Sequence, residues 1–231
     1  MRNKLSTLEE KIKIIFENKD LLKTAFMHRS YLNENKKRKL ESNEKLEFLG
    51  DSILSLITSS YLFQKYPEYS EGIYTDIKAS LVKTSTLAQV ALELSLGEYL
   101  FLSKGESKSD GRKNKNILAD CFEALLGAIF LDKGFNKAYR FTLDYLIEDK
   151  IDEIIDKKLY FSSKSKLQET MQRQYKITPD YKLIKESGPE HRRVFDMGIF
   201  FNGKKLGEGI GKTKKQAEEE AAKKALQRLK K

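Results

Sequence analysis

Over the first 155 or so residues the hydrophobic positions recur at helical spacing. Leu8, Ile12, Ile15 and Phe16 share one face, and Ser6 with Glu9 has the spacing of a capping box. Asn43 stands where it would cap a long helix that ends before Pro67. On that helix Leu46, Leu49, Ile53 and Leu56 fall within an arc of roughly 80°. Further helical patterns cover roughly 73–82, 85–97, 114–132 and 134–156, and the charged stretch 103–115 reads as a polar loop. No strand alternation is evident in this part.

After residue 163 the period changes. The segment KSKLQETMQRQY is helical, and 180–187 reads as a strand. Phe195, Met197, Ile199 and Phe201 alternate as a half-buried strand does, and Asn202-Gly203 is a type I′ hairpin signal before a returning strand over 204–210. Thr213 with Gln216 makes a second capping box. Ala217, Ala221, Ala222, Ala225, Leu226 and Leu229 then line one face of a last helix. The pattern predicts a mainly helical N-terminal domain (1–156), a linker (157–163) and a small α+β domain of order α-β-β-β-α (164–231).

Charge sharpens the division. The chain has 44 Lys+Arg against 34 Asp+Glu, a formal net charge of +10. Residues 161–231 hold 18 of the bases and 9 of the acids, so +9, which leaves 26 − 25 = +1 for residues 1–160. A near-neutral body carries a basic appendage, which points to a polyanionic partner, nucleic acid first and anionic membrane second. One cysteine, Cys121, excludes a disulfide framework, and with two histidines a zinc finger is excluded as well. No secretory signal or span of about 18 apolar residues is visible, so the expected compartment is the cytoplasm, with no membrane partner.

Two acidic groups stand out. On the long helix Glu44, Glu47 and Asp51 fall within an arc of roughly 60°. A solvated acidic face explains this as well as a functional one does, but only Lys45 offers a positive neighbour in the first two turns. The second group is more telling. Between Ile117 and Leu131 every residue is apolar except Asp120, Glu123 and Gly127. A helix apolar nearly all round is buried, and buried carboxylates need compensation. That compensation is either a basic partner from elsewhere in the fold or a metal ion. Carboxylates suit Mg²⁺ or Mn²⁺, and with nucleic acid as partner they suggest two-metal phosphodiester hydrolysis.

The stretch NEKLEFLGDSIL (43–54) resembles the signature of the ribonuclease III family nearly residue for residue, and ILADCFEALLGAIFLD (117–132) resembles its second acidic motif. AFMHRSYLNE (25–34) and EGIYTDIKASLV (71–82) resemble its flanking blocks. LQE (167–169), GPEH (188–191) and GKTKKQAEEEAAKKAL (211–226) resemble a double-stranded-RNA-binding domain. The domain order is that of the bacterial enzymes. Cys121, Phe122 and Tyr74 depart from the usual residue types, and none is an acidic position.

The resemblance implies a homodimeric endoribonuclease that cuts both strands of duplex RNA and leaves 5′-phosphate and 3′-hydroxyl ends with short 3′ overhangs. It implies work on ribosomal, messenger and transfer RNA precursors. By the family pattern Glu47, Asp120 and Glu123 bind Mg²⁺ (Mn²⁺ substituting), Asp51 and Glu123 are the catalytic positions, and Glu44 and Glu71 are further acids of the active valley. Phe48 matches an aromatic that plugs into the partner subunit. Gln168 and Glu169 meet one RNA minor groove, His191 the next, and Lys212, Lys214 and Lys215 the phosphates between. His28, read as helical beside Phe26, has a structural role in this reading. Gly207–Lys215 (GEGIGKTKK) resembles a phosphate-binding loop, but a Walker A motif needs Gly where Leu206 stands ahead of Gly211-Lys212-Thr213, so no nucleotide cofactor is expected. These glycines instead let the backbone approach RNA. The alternative from another class is a non-catalytic duplex-RNA-binding protein, and a weaker one is a protein-interaction module. All six acids are present, which favours the enzyme.

Overall fold

The computed structural model describes residues 2–35, 40–157, 160–189, 192–201 and 203–229. The chain divides into two compact units, one through Tyr160 and one from Phe161.

In the first unit the helices follow in order: α1 (Arg2–Ile12), α2 (Lys19–Ala25), α3 (Arg29–Glu34), α4 (Glu44–Lys65), α5 (Glu71–Val82), α6 (Thr84–Glu93), α7 (Lys104–Lys108), α8 (Lys115–Thr142) and α9 (Glu148–Asp156). Helix α8 is the spine. Leu118, Ala119, Cys121, Phe122, Ala124, Leu125, Leu126, Ala128 and Ile129 are all buried on it, as an apolar circumference requires. Asn114 starts it by accepting from the N–H groups of Asn116 and Ile117, and Gly134 (φ 78) breaks it where the sequence pattern changes. No described helix is long and apolar enough to cross a membrane.

Several local expectations change. Ser6 lies inside α1, which begins at Arg2, so no capping box forms there. Glu9 is buried instead, accepting the Phe16 N–H at 2.6 Å and pairing with Lys19 at 2.5 Å. Because α1 ends at Ile12, Ile14 and Phe16 turn into the core and Ile15 is exposed. Asn43 precedes α4 without capping it, since its side-chain amide donates to the Ala25 carbonyl at 3.3 Å. On α4 the buried face is Leu46, Gly50, Ile53, Leu54 and Ile57, rotated away from Leu56, which is 53% exposed. The polar stretch 103–115 is partly helical, through α7 and a 3₁₀ turn at Gly111–Lys113.

The second unit runs α10 (Ser163–Tyr175), β1 (Asp180–Ser187), β2 (Val194–Phe201), β3 (Lys204–Gly211) and α11 (Lys214–Leu229). The sheet is antiparallel with order β1-β2-β3. Leu167 and Met171 of α10, Ile199 of β2, and Ala221, Ala222 and Ala225 of α11 form its core. Gly203 has φ 77, as the hairpin needs, while Asn202 lies outside the described residues. Thr213 caps α11 by accepting the Gln216 N–H at 3.2 Å, and Gln216 accepts the Lys212 N–H at 3.2 Å. The β3 glycines serve packing: Gly207 and Gly209 lie directly against the α11 backbone at Ala221 and Ala217.

Candidate active site and nucleic-acid interface

Helices α4 and α8 cross where neither has a side chain. A Cβ added at Gly50 would stand 1.8 Å from the Glu123 carbonyl oxygen, and one at Gly127 would stand 2.3 Å from that of Leu46. Only glycine permits so close an approach. Gly50 follows Glu47 by three residues and Gly127 follows Glu123 by four, so in each helix the interlock and the acid share a face. Carboxylate oxygens of Glu47, Asp120 and Glu123 consequently all lie within 4.8 Å of one another.

These three side chains are half-buried. Burial raises the Glu123 pKa to about 8, and the carboxylates of Asp51, Asp120 and Glu47 push in the same direction. Glu47 is raised by burial and then by Asp120 and Glu44, with Arg29 opposing. Asp120 is raised by burial, with His28 and Arg29 opposing. Carboxylates that resist ionisation together are what a site looks like when its compensating charge comes from a bound cation. The all-oxygen donor set fits a hard divalent ion.

The other predicted acids sit around this trio. Asp51 is exposed one turn beyond Glu47. Glu44 is exposed, accepts the Ser42 hydroxyl at 2.7 Å and lies 3.8 Å from Arg29. Glu71, at the start of α5, is not part of the trio. It accepts the Thr75 hydroxyl at 3.0 Å and borders a separate groove with Phe63, Tyr74 and Lys78.

A polar cleft of about 570 Å³ opens beside the trio, lined by His28, Arg29, Asn33, Glu44, Glu47 and Asp120 among others. His28 is not within a helix. It caps α3, its Nδ1 accepting the Ser30 N–H at 3.3 Å. Burial lowers its pKa, with Glu106, Asp120 and Glu44 opposing, so neutral imidazole is favoured.

In the second unit Gln168 and Glu169 are exposed on α10 beside buried Leu167 and Met171. Lys212, Lys214 and Lys215 are exposed at the start of α11, and the Lys214 ammonium lies 5.8 Å from the Phe195 ring centre. His191 lies outside the described residues. On α4, Phe48 is 78% exposed.

Gly50, Gly127 and Arg29 were not singled out from sequence as parts of the site. Gly127 did carry a signal, as the one small break in the apolar run. Arg29 carried none, being one of 44 bases.

Comparison with known proteins agrees with this geometry. Residues 18–150 match the family model described as ribonuclease-III-like, and residues 163–229 match the double-stranded RNA binding motif. The chain is similar to bacterial proteins called ribonuclease 3. Identity is 43% to that of Enterococcus faecalis, over 99% of both chains. It is 42% to that of Pelotomaculum thermopropionicum, over 97% of this chain and 93% of the relative. A solved nuclease domain of ribonuclease III from Campylobacter jejuni superposes with a TM-score of 0.57 at 35% identity, covering 61% of this chain and 94% of that one. An acid-lined helical nuclease unit followed by a duplex-RNA-binding motif defines a double-stranded-RNA endoribonuclease, a hydrolase that uses divalent metal. The chain belongs to the ribonuclease III family.

Proposed function

We propose that the chain is a Mg²⁺-dependent endoribonuclease that cuts both strands of duplex RNA as a homodimer, with Glu47, Asp120 and Glu123 holding the metal. The observation that carries this is the trio's convergence within 4.8 Å on two interlocked helices. Bound Mg²⁺ supplies charge neutralisation at the phosphodiester and a lowered pKa for water. The residues do the rest. Glu123 is the acid on which the carboxylates of Asp51, Asp120 and Glu47 all act. Asp51, exposed one turn along, orients the attacking water and accepts its hydrogen bond. Glu44 and Glu71 extend the acidic lining. The products are 5′-phosphate and 3′-hydroxyl ends with short 3′ overhangs.

The dimer reading is supported by α4 itself. Phe48, Leu56 and Phe63 are 78%, 53% and 72% exposed and fall within roughly 80° on that helix. The groove bordered by Leu62, Phe63 and Tyr74 offers Phe48 of a second copy an apolar recess, and a two-fold axis makes that contact twice. Dimer formation is also named for the nuclease domain of the Campylobacter jejuni protein. Gln168, Glu169, His191, Lys212, Lys214 and Lys215 bind the duplex. The family resemblance carries the finer expectations: a cytoplasmic enzyme acting on ribosomal RNA precursors and structured messages. Incubation of the full-length protein with a long perfect RNA duplex tests the core of this reading. Cutting that requires Mg²⁺ or Mn²⁺ is expected, and binding without cutting in either metal refutes it in favour of a non-catalytic binder.

A further inference from the structure

The turn that opens α3 is held from both sides. The His28 N–H donates to the Phe101 carbonyl at 3.2 Å, and the Asn43 N–H to the Met27 carbonyl at 2.9 Å. The Ser103 N–H donates to the Ser30 hydroxyl at 3.1 Å, and the Lys104 N–H to the Glu34 carboxylate at 3.1 Å. A turn fixed this way aims its side chains.

One of them, Arg29, lines the polar cleft together with Glu44, Glu47 and Asp120. A guanidinium has five N–H donors. Its ion pair with Glu44 spans 3.8 Å, too long for a hydrogen bond. Its charge is nevertheless close enough to act on Glu47 and Asp120. Asn33 and Asn116 line the same cleft and are exposed. Among the described residues neither side-chain amide has a hydrogen-bond partner. The cleft therefore holds one cation with unused donors and two free amides at the edge of a strongly acidic centre.

An RNA strand entering that centre brings a negative charge at every nucleotide. The acids with their metal meet the phosphate being cut, but the neighbouring phosphate needs a fixed cation. The 2′-hydroxyl is both donor and acceptor, as a side-chain amide is. We infer that this cleft seats the RNA strand beside the bond to be cut: Arg29 takes the adjacent phosphate, and Asn33 and Asn116 take ribose 2′-hydroxyls. The inference deepens the nuclease reading and rests on it.

The test uses the full-length protein and a short duplex cut at one place. Arg29→Ala should raise KM about tenfold with kcat changed less than about threefold. In EDTA its log–log salt slope for RNA binding should be smaller by about one, as for one lost phosphate contact. Arg29→Lys should recover most of the loss. A duplex with 2′-deoxy sugars flanking the cut should be a poorer substrate for the wild type, by about tenfold, and no poorer for Asn33→Ala/Asn116→Ala than its all-ribose parent. The subsite is refuted if Arg29→Ala leaves KM and slope unchanged. It is equally refuted if kcat and melting temperature fall together, or if the asparagine variant still discriminates against deoxy sugars. A wild type that cuts no duplex in Mg²⁺ overturns the nuclease reading and this one with it.

Discussion

The two units handle charge in opposite ways. The first gathers carboxylates where water is scarce, so that burial lifts Glu123 to about 8. The second spreads lysines where water is plentiful, with Lys212, Lys214 and Lys215 all exposed. Acids that tolerate burial do so because something else supplies the countercharge at the moment of chemistry. Exposed bases bind a polyanion by releasing its counterions, and no single one of them is indispensable. The first unit is thus built for a step and the second for a grip.

Glu123→Gln should cut deepest across that divide. It keeps the shape and removes the charge, costing several kcal/mol of transition-state stabilisation, so cleavage should fall about a thousandfold or more. Affinity for duplex RNA should stay within about twofold, with partial rescue by higher Mg²⁺ or by Mn²⁺. Near-normal cleavage at saturating Mg²⁺ would dissolve the comparison. Lys214→Ala/Lys215→Ala should do the reverse. It should weaken binding about tenfold and lower the salt slope by about two, while single-turnover cleavage at saturating protein is unchanged. A loss of the chemical step in that variant would mean that grip and step are not separable.

Phe48→Glu should convert the protein to monomers in sedimentation at micromolar concentration and abolish paired cuts. A variant that remains dimeric contradicts the proposed seat of Phe48 in the subunit contact. Gly127→Ala pushes a methyl against the Leu46 carbonyl and should cost about 3 kcal/mol, roughly 10 °C in Tm. Calorimetry showing an unchanged Tm would deny the interlock.

A further effect is in pH. Glu123 carries a pKa raised from 4.5 to about 8 in the folded chain. Between those values the folded state holds a proton that the unfolded state has lost, so metal-free stability is greatest below the lower value. It should fall as pH rises through about 8 and then level. Glu123→Gln should flatten that slope and raise the metal-free Tm at pH 8. An equal slope in both proteins assigns the titration elsewhere.

Sequence made the acids legible for a physical reason. Asp120 and Glu123 contradict the apolar run that surrounds them, and such a contradiction is visible in one dimension. The second unit was equally open, because alternation in β2 and the Thr213 cap are local signals. The crossing of α4 and α8 was hidden, since Gly50 and Gly127 are far apart in the chain and glycine has no side chain to announce a contact. Arg29 was hidden too, because its role depends on which acids the fold brings beside it. At Ser6 and Ile15 the periodic pattern does not mark the ends of α1, which runs Arg2–Ile12 and leaves Ile15 exposed. At Asn43 the cause is different: the distant Ala25 carbonyl takes the side-chain amide that could have served the helix.

The glycine crossing has a further consequence for how the metal comes and goes. Because backbone touches backbone at Gly50 and Gly127, the spacing of the two helices from which the carboxylates project is set by main chain. The helices cannot separate to spread the acids when no ion is present, so repulsion is met by a proton kept on Glu123, whose pKa is raised to about 8. A cation arriving finds the helix crossing already assembled and displaces that proton as it binds. Little reorganisation is then left to slow its entry, and the empty and filled forms should have nearly superimposable backbones.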